Sequence, residues 1–134
     1  MANDILLSVL TPDRKVFEDG VDEVVLPGGE GYLGVLPGHA PLLTSLKIGE
    51  LSWRKEGRWR YGFLAWGFAE VLGDKVRVLA DVGELAGEID PERATAARDR
   101  AQKRLGEAAR GLDVLRARTA LERALARLSV AGHK

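Results

Sequence analysis

The sequence predicts a mixed, two-domain chain: an all-β sandwich or barrel over residues 1–84, then an α-helical hairpin over residues 85–134. Three observations carry that prediction. All eight aromatic residues, 12 of the 16 glycines and four of the five prolines precede residue 85. The remaining 50 residues hold 12 alanines and are rich in Leu and Arg. Charge divides at the same place: residues 1–84 carry 9 Lys and Arg against 13 Asp and Glu, and residues 85–134 carry 11 against 7. The neutral total of the 134-residue chain hides a −4 half and a +4 half.

The strands follow from alternation and turn chemistry. Ile5, Leu7 and Val9 alternate with Leu6, Ser8 and Leu10 until Thr11-Pro12-Asp13 turns the chain. Glu23-Val24-Val25-Leu26 is a short apolar run stopped by Pro27-Gly28-Gly29. Residues 51–54 and 58–61 flank Lys55-Glu56-Gly57, a hairpin signal, and residues 68–72 and 75–79 flank Gly73-Asp74, a second one. Gly or Pro interrupts every window, which excludes a long helix here.

The helices follow from caps and a 3.6-residue period. Asp90 predicts an N-cap and Pro91 the first helical position, where a missing N–H costs nothing. Ala94, Ala97, Ala101, Leu105 and Ala108 form one apolar stripe. Gly111 predicts a C′ residue with Leu112 as its apolar contact, and Asp113 a cap for the next helix. Val114, Ala117, Leu121, Ala124 and Leu128 continue the stripe, and so short a break predicts an antiparallel pair. Alanine on the facing stripe lets the helices approach closely but buries little area, so the pair is weakly held.

Several chemistries are excluded by composition. With no cysteine, disulfides, thiolate metal sites and a thiol nucleophile are impossible. No apolar run approaches the roughly 20 residues of a spanning helix, and Met1-Ala2-Asn3-Asp4 shows no signal-peptide flank. Residues 29–34 fit G-x-G-x-x-G, yet Pro37, Gly38 and Pro41 follow where a phosphate-binding helix must start. That stretch therefore predicts a tight inter-strand loop, not the core of a small nucleotide hydrolase. His39 stands without ligand-type neighbours and predicts a loop or interface residue rather than a metal or triad member. No carboxylate dyad stands out. The chain is expected to catalyse nothing alone and to need no cofactor.

The arginines carry more information. Arg93, Arg100 and Arg104 are spaced 7 and 4 apart, and Arg116, Arg123 and Arg127 repeat that spacing, so each set shares a helical face. Arg outnumbers Lys nine to two after residue 84, and guanidinium grips phosphate or carboxylate in a bidentate way that ammonium does not. One reading is an adaptor that binds nucleic acid or another anion through the basic hairpin. The acidic first half would repel a duplex, which disfavours nucleic acid.

Residues Glu30-Gly31-Tyr32-Leu33-Gly34-Val35-Leu36-Pro37-Gly38-His39-Ala40-Pro41-Leu42-Leu43 resemble the signature loop and strand of the ε-subunit family of F-type ATP synthases. Val78-Leu79-Ala80-Asp81, Ile89-Asp90-Pro91-Glu92-Arg93-Ala94 and Arg123-Ala124-Leu125-Ala126-Arg127-Leu128 extend the resemblance over essentially the whole chain. It implies a mixed two-domain fold, an N-terminal all-β sandwich of about ten strands followed by a C-terminal α-helical hairpin, in a non-catalytic rotor subunit at the foot of the central stalk, whose sandwich binds the gamma subunit and the c-ring. It implies helices that fold against the sandwich or extend toward the catalytic alpha and beta subunits, the extended form blocking ATP hydrolysis. Ile89, Asp90, Arg93 and Ala94 match an ATP-binding motif written [IL]-D-x-x-R-A. Arg100, Arg123 and Arg127 match the arginines that accompany it, and Glu84 an acidic residue at its mouth. The implied regulatory ligand is ATP, and His39 is expected near the gamma interface. The implied location is the cytoplasmic face of the inner membrane, with the membrane reached only through the complex.

Overall fold

The computed structural model describes residues 4–107 and 111–133. Eight strands come first: β1 (Ile5–Leu10), β2 (Lys15–Val21), β3 (Glu23–Gly28), β4 (Gly31–Val35), β5 (Leu42–Leu46), β6 (Gly49–Lys55), β7 (Arg58–Leu72) and β8 (Lys75–Leu85). A 3₁₀ turn, Ala86–Glu88, leads to α1 (Pro91–Glu107) and α2 (Leu112–Ala131).

Both expected hairpins form, β6 to β7 with Lys55 opposite Arg58, and β7 to β8 with Leu72 opposite Lys75. Eight strands stand among the described residues where the resemblance implies about ten, and two stretches that read as separate strands are continuous. Residues 58–61 and 68–72 both belong to β7, which bends at Trp66 (φ 53°) and Gly67 (φ 132°) and keeps its register with β8 through the bend. Before the bend β7 pairs with β6; after it, with β5. One long strand thus serves both layers of the sandwich.

Alternation decides the interior. Ile5, Leu7 and Val9 of β1, Val24 and Leu26 of β3, Leu51 and Trp53 of β6, and Val76, Val78 and Ala80 of β8 point inward and are buried. Residues 62–65 of β7 break the pattern, being buried on both faces. The main core covers one face and the helical hairpin covers the other, where Phe63 and Ala65 pack with Ile89, Val130 and Ala131.

The helices follow their caps with one exception. Asp90 Oδ1 accepts the N–H of Glu92 (3.0 Å) and of Arg93 (3.4 Å), so the expected N-cap is present. Asp113 is not a cap. Gly111 (φ 67°) takes that position, and Asp113 lies inside the first turn, where its charge still favours the helix dipole. The expected roles of Ala108 and of the Leu112 side chain fall outside the described residues. Ala94 and Ala101 of α1 and Ala117 and Ala124 of α2 are buried, as the stripe predicts.

The connection between the halves is braced by Arg14, in the turn between β1 and β2. Its Nη1 and Nη2 donate to Glu88 Oε2 and Oε1 at 2.8 and 2.9 Å, and Glu88 Oε1 also accepts the Leu85 N–H at 2.8 Å. The Arg14 hydrogen bond first, then the Leu85 N–H, holds the Glu88 carboxyl below its ordinary value of 4.5. The folded chain therefore binds this proton less tightly than the unfolded one. The brace stabilises above 4.5 and is lost as pH falls through the lower folded value. In thermal melts against pH, Arg14→Ala is expected to melt below wild type at neutral pH, with the gap closing in acid. A gap independent of pH would contradict this role.

Candidate functional site at the hairpin–sandwich junction

The hairpin is fastened mainly by one end. The last turns of α2 pack on β6, β7 and the 3₁₀ turn, and Val130 is fully buried there. Above that contact lies a polar cluster. Arg127 donates from Nε to Glu84 Oε1 (2.9 Å) and from Nη2 to Glu84 Oε2 (3.2 Å), a bidentate grip between α2 and β8. The same guanidinium stands 4.5 Å from the centre of the Phe63 ring. Arg123, one helical turn earlier, stands 5.6 Å from the ring centre of Trp66, at the bend of β7. Both arginines thus face the sandwich, each over an aromatic face that favours a cation.

Of the residues matched to the ATP motif, the structure joins some and separates others. Glu84 and Arg127 are paired, and Arg123 lies on the same face of α2. Ile89 is buried with Phe63 and Val130 beneath the cluster. The Asp90 carboxylate is engaged with the start of α1, and Ala94 is buried on the stripe. Arg93 and Arg100 lie on α1 and are exposed, and their side chains make no ion pair or hydrogen bond among the described residues. Arg93 and Arg100 are therefore available, whereas any phosphate reaching Arg127 competes with Glu84.

Sequence reasoning missed the platform that receives α2. Phe63, Trp66, Tyr61 and Glu50 all belong to it, and His133 reaches it from the chain's end. One signal was present, the non-alternating apolar run at residues 63–65, which a strand shows when both faces are covered.

His39 lies in the loop between β4 and β5. Its N–H donates to Leu36 O (3.2 Å), and its ring Nδ1 to Ala40 O (2.6 Å), contacts that shape the turn. No group of three or more His, Asp or Glu side chains could hold a metal among the described residues. Residues 29–34 form the tight β3–β4 hairpin and run into a strand, not a helix. A Cβ on Gly28 would lie 2.7 Å from Gly31 O, which explains the glycine there.

A second surface lies on the outward face of β5, β7, β8 and β1. Phe68 stands opposite both Ser45 and Leu79, and Leu79 opposite Leu10; Leu43 lies two residues from Ser45 on the same face, and the paired Glu70 and Arg77 separate this row from Leu72. Phe68, Leu79, Leu43 and Leu72 are each more than half exposed. Large apolar side chains exposed together on one face mark a contact surface. No helix among the described residues is long and apolar enough to cross a membrane.

Both halves of the chain match known families. Residues 4–86 match the ATP synthase Delta/Epsilon chain beta-sandwich domain, and residues 88–132 the Delta/Epsilon chain long alpha-helix domain. The chain is 50% identical over 105 residues to the ATP synthase epsilon chain of Koribacter versatilis, covering 78% of this chain and 74% of that one. It is 52% identical over 103 residues to that of Solibacter usitatus, covering 77% of each. In fold it is similar to a chain of the Euglena gracilis mitochondrial ATP synthase, with TM-score 0.83, 24% identity and coverage of 99% of this chain and 84% of that one. These matches and the two-part architecture agree: the chain belongs to the ATP synthase delta/epsilon family, as an epsilon-type subunit that is not an enzyme on its own.

Proposed function

We propose that this chain is a central-stalk rotor and regulatory subunit, which couples proton-driven rotation to ATP synthesis and restrains ATP hydrolysis through a mobile hairpin. In this reading the sandwich docks on the gamma subunit and the c-ring. The hairpin leaves the sandwich to reach the catalytic alpha and beta subunits, and ATP holds it back. The observation that carries the reading is the one-ended fastening of the hairpin, with arginines at the fastening point.

Magnitudes favour a switch. An ion pair as accessible as that of Glu84 and Arg127 contributes up to about 1 kcal/mol, and burying one valine about 1.5–3 kcal/mol. A ligand at 100 times its dissociation constant that binds only the docked form adds about 2.7 kcal/mol. Nucleotide and fastening are therefore of one size, and the ligand can decide the population. Arg93 and Arg100 offer exposed guanidinium groups to phosphate, and Arg123 and Arg127 would join them across the hairpin. Acidic side chains on the catalytic subunits would claim the same arginines in the extended state.

Calorimetric titration of the purified chain with ATP tests the nucleotide part. Wild type is expected to bind, and the double variant Arg123→Ala, Arg127→Ala to lose at least tenfold in affinity. Wild type giving no heat and no thermal shift would remove the nucleotide claim and leave the rotor claim standing.

The apolar face supports the docking part. Phe68→Glu is expected to leave the melt nearly unchanged, because an exposed position costs about 0.5 kcal/mol or less. Binding to the gamma subunit should weaken by 2 kcal/mol or more, about 30-fold, if Phe68 is central to the contact. Unchanged co-purification with gamma would place the interface elsewhere.

A further inference from the structure

The end of α2 makes a second set of contacts apart from the arginine cluster. His133 lays its ring flat on Tyr61 of β7, centroids 3.7 Å apart and planes 16° from parallel. Its Nε2 lies 3.0 Å from Glu50 Oε1 of β6. Ser129 Oγ, one turn earlier, donates to the same carboxylate oxygen at 3.3 Å. Backbone geometry presents these groups: the N–H of Gly132 donates to Leu128 O (3.0 Å) and that of His133 to Val130 O (3.1 Å), wrapping the last turn inward. Glu50 is itself held, its N–H donating to Tyr32 Oη at 3.2 Å. Between the two polar sets, Val130 and Ala131 are buried against Phe63, Ala65 and Ile89.

We infer that residues 129–133 are a clasp: a latch separate from the arginines, which closes the end of the hairpin on Glu50 and Tyr61 and sets how often the hairpin leaves the sandwich without nucleotide. The inference rests on the mobile hairpin proposed above. It assigns a division of labour. Arg127 and Arg123 sit where a nucleotide can act, whereas the clasp holds β6 and β7 with a hydroxyl, an imidazole and a stacked ring. Neutral imidazole with its proton on Nε2 and imidazolium can both donate to Glu50, so the clasp works without a charge on the ring. Because α2 is fastened at this end, opening the clasp exposes the Val130 contact to water. The rest of the hairpin follows.

The test uses the full chain, which has no native cysteine. Spin labels at Asp74→Cys, in the exposed β7–β8 turn, and at Leu115→Cys, exposed on α2, report the distance between sandwich and hairpin. His133→Ala and Glu50→Ala should each raise the undocked population roughly five- to tenfold without ATP. The double variant should raise it by less than the product of the two single effects, because the His133–Glu50 contact is common to both while the Tyr61 stack and the Ser129 bond each belong to one. Circular dichroism of each variant should retain the sandwich melt. If His133→Ala leaves the population unchanged while Arg127→Ala raises it, the clasp is refuted and the mobile hairpin stands. If neither these variants nor Val130→Asp shift the distance, the mobile hairpin fails and the clasp with it.

Discussion

A chain carrying Val130→Asp is expected to keep a folded sandwich and lose the docked hairpin. Val130 is fully buried among Phe63, Ala65 and Ile89, so the substitution removes about 1.5–3 kcal/mol of apolar burial. It also places a carboxylate in an apolar site, which costs several kcal/mol more unless the site opens to water. Undocking is the easy escape, since α2 keeps its alanine stripe against α1 and the new carboxylate becomes solvated. A loss of about 3 kcal/mol lowers the ratio of docked to undocked hairpin roughly 100-fold. Trypsin should then cut after Arg123 and Arg127 faster, up to the rate of a fully undocked hairpin, because cleavage of an opened segment follows its population. Unchanged cleavage with an unchanged melt would show that Val130 does not hold the hairpin.

Gly67→Ala should damage the other half of the molecule. Gly67 has φ 132°, a conformation that side chains rarely adopt, and an added Cβ would lie 2.0 Å from Leu79 O and 2.8 Å from Ala80 Cα. Those are backbone atoms of β8, which β7 grips on both sides of the bend, so neither can yield cheaply. The cost is at least about 3 kcal/mol, which lowers the melting temperature on the order of 10 °C. Gly57→Ala is the comparison. Its φ is 78° with nothing within 4 Å of the added atom, so it carries backbone strain alone and should cost about 1 kcal/mol. Equal losses at the two positions would mean that the bend at Trp66 and Gly67 is not the constrained corner described here.

Local chemistry made much of the fold legible. Asp90 followed by Pro91 marked the start of α1 because a carboxylate cap and a residue without N–H solve the same problem of orphan donors. Gly57 and Gly73, both at positive φ, marked two hairpins for a similarly local reason. The sheet's bend was not legible, because Ala65-Trp66-Gly67-Phe68 reads as a strand break and only the continuous ladder with β8 shows otherwise. Asp113 misled because Gly111 took the cap without a side chain.

Within the candidate site the same division holds. The 7-and-4 arginine spacing put Arg123 and Arg127 on one face, but their partners lie far off in sequence: Glu84 is 43 residues from Arg127, and Glu50 is 79 from Ser129. Periodicity within a helix says which side chains travel together; it carries no record of what they meet. Arg93 and Arg100 show the converse, since the motif groups them with Arg127 while the docked hairpin leaves them facing solvent.

Hydrogen exchange at the amides of residues 128–133, followed with and without ATP, addresses most directly the claim of a reversibly seated hairpin under nucleotide control. At 100 times its dissociation constant, ATP should slow exchange there about 100-fold while the β1 and β8 amides stay unchanged. Identical rates with and without ATP, or end-of-chain amides as slow as those of β1 in its absence, would contradict that account.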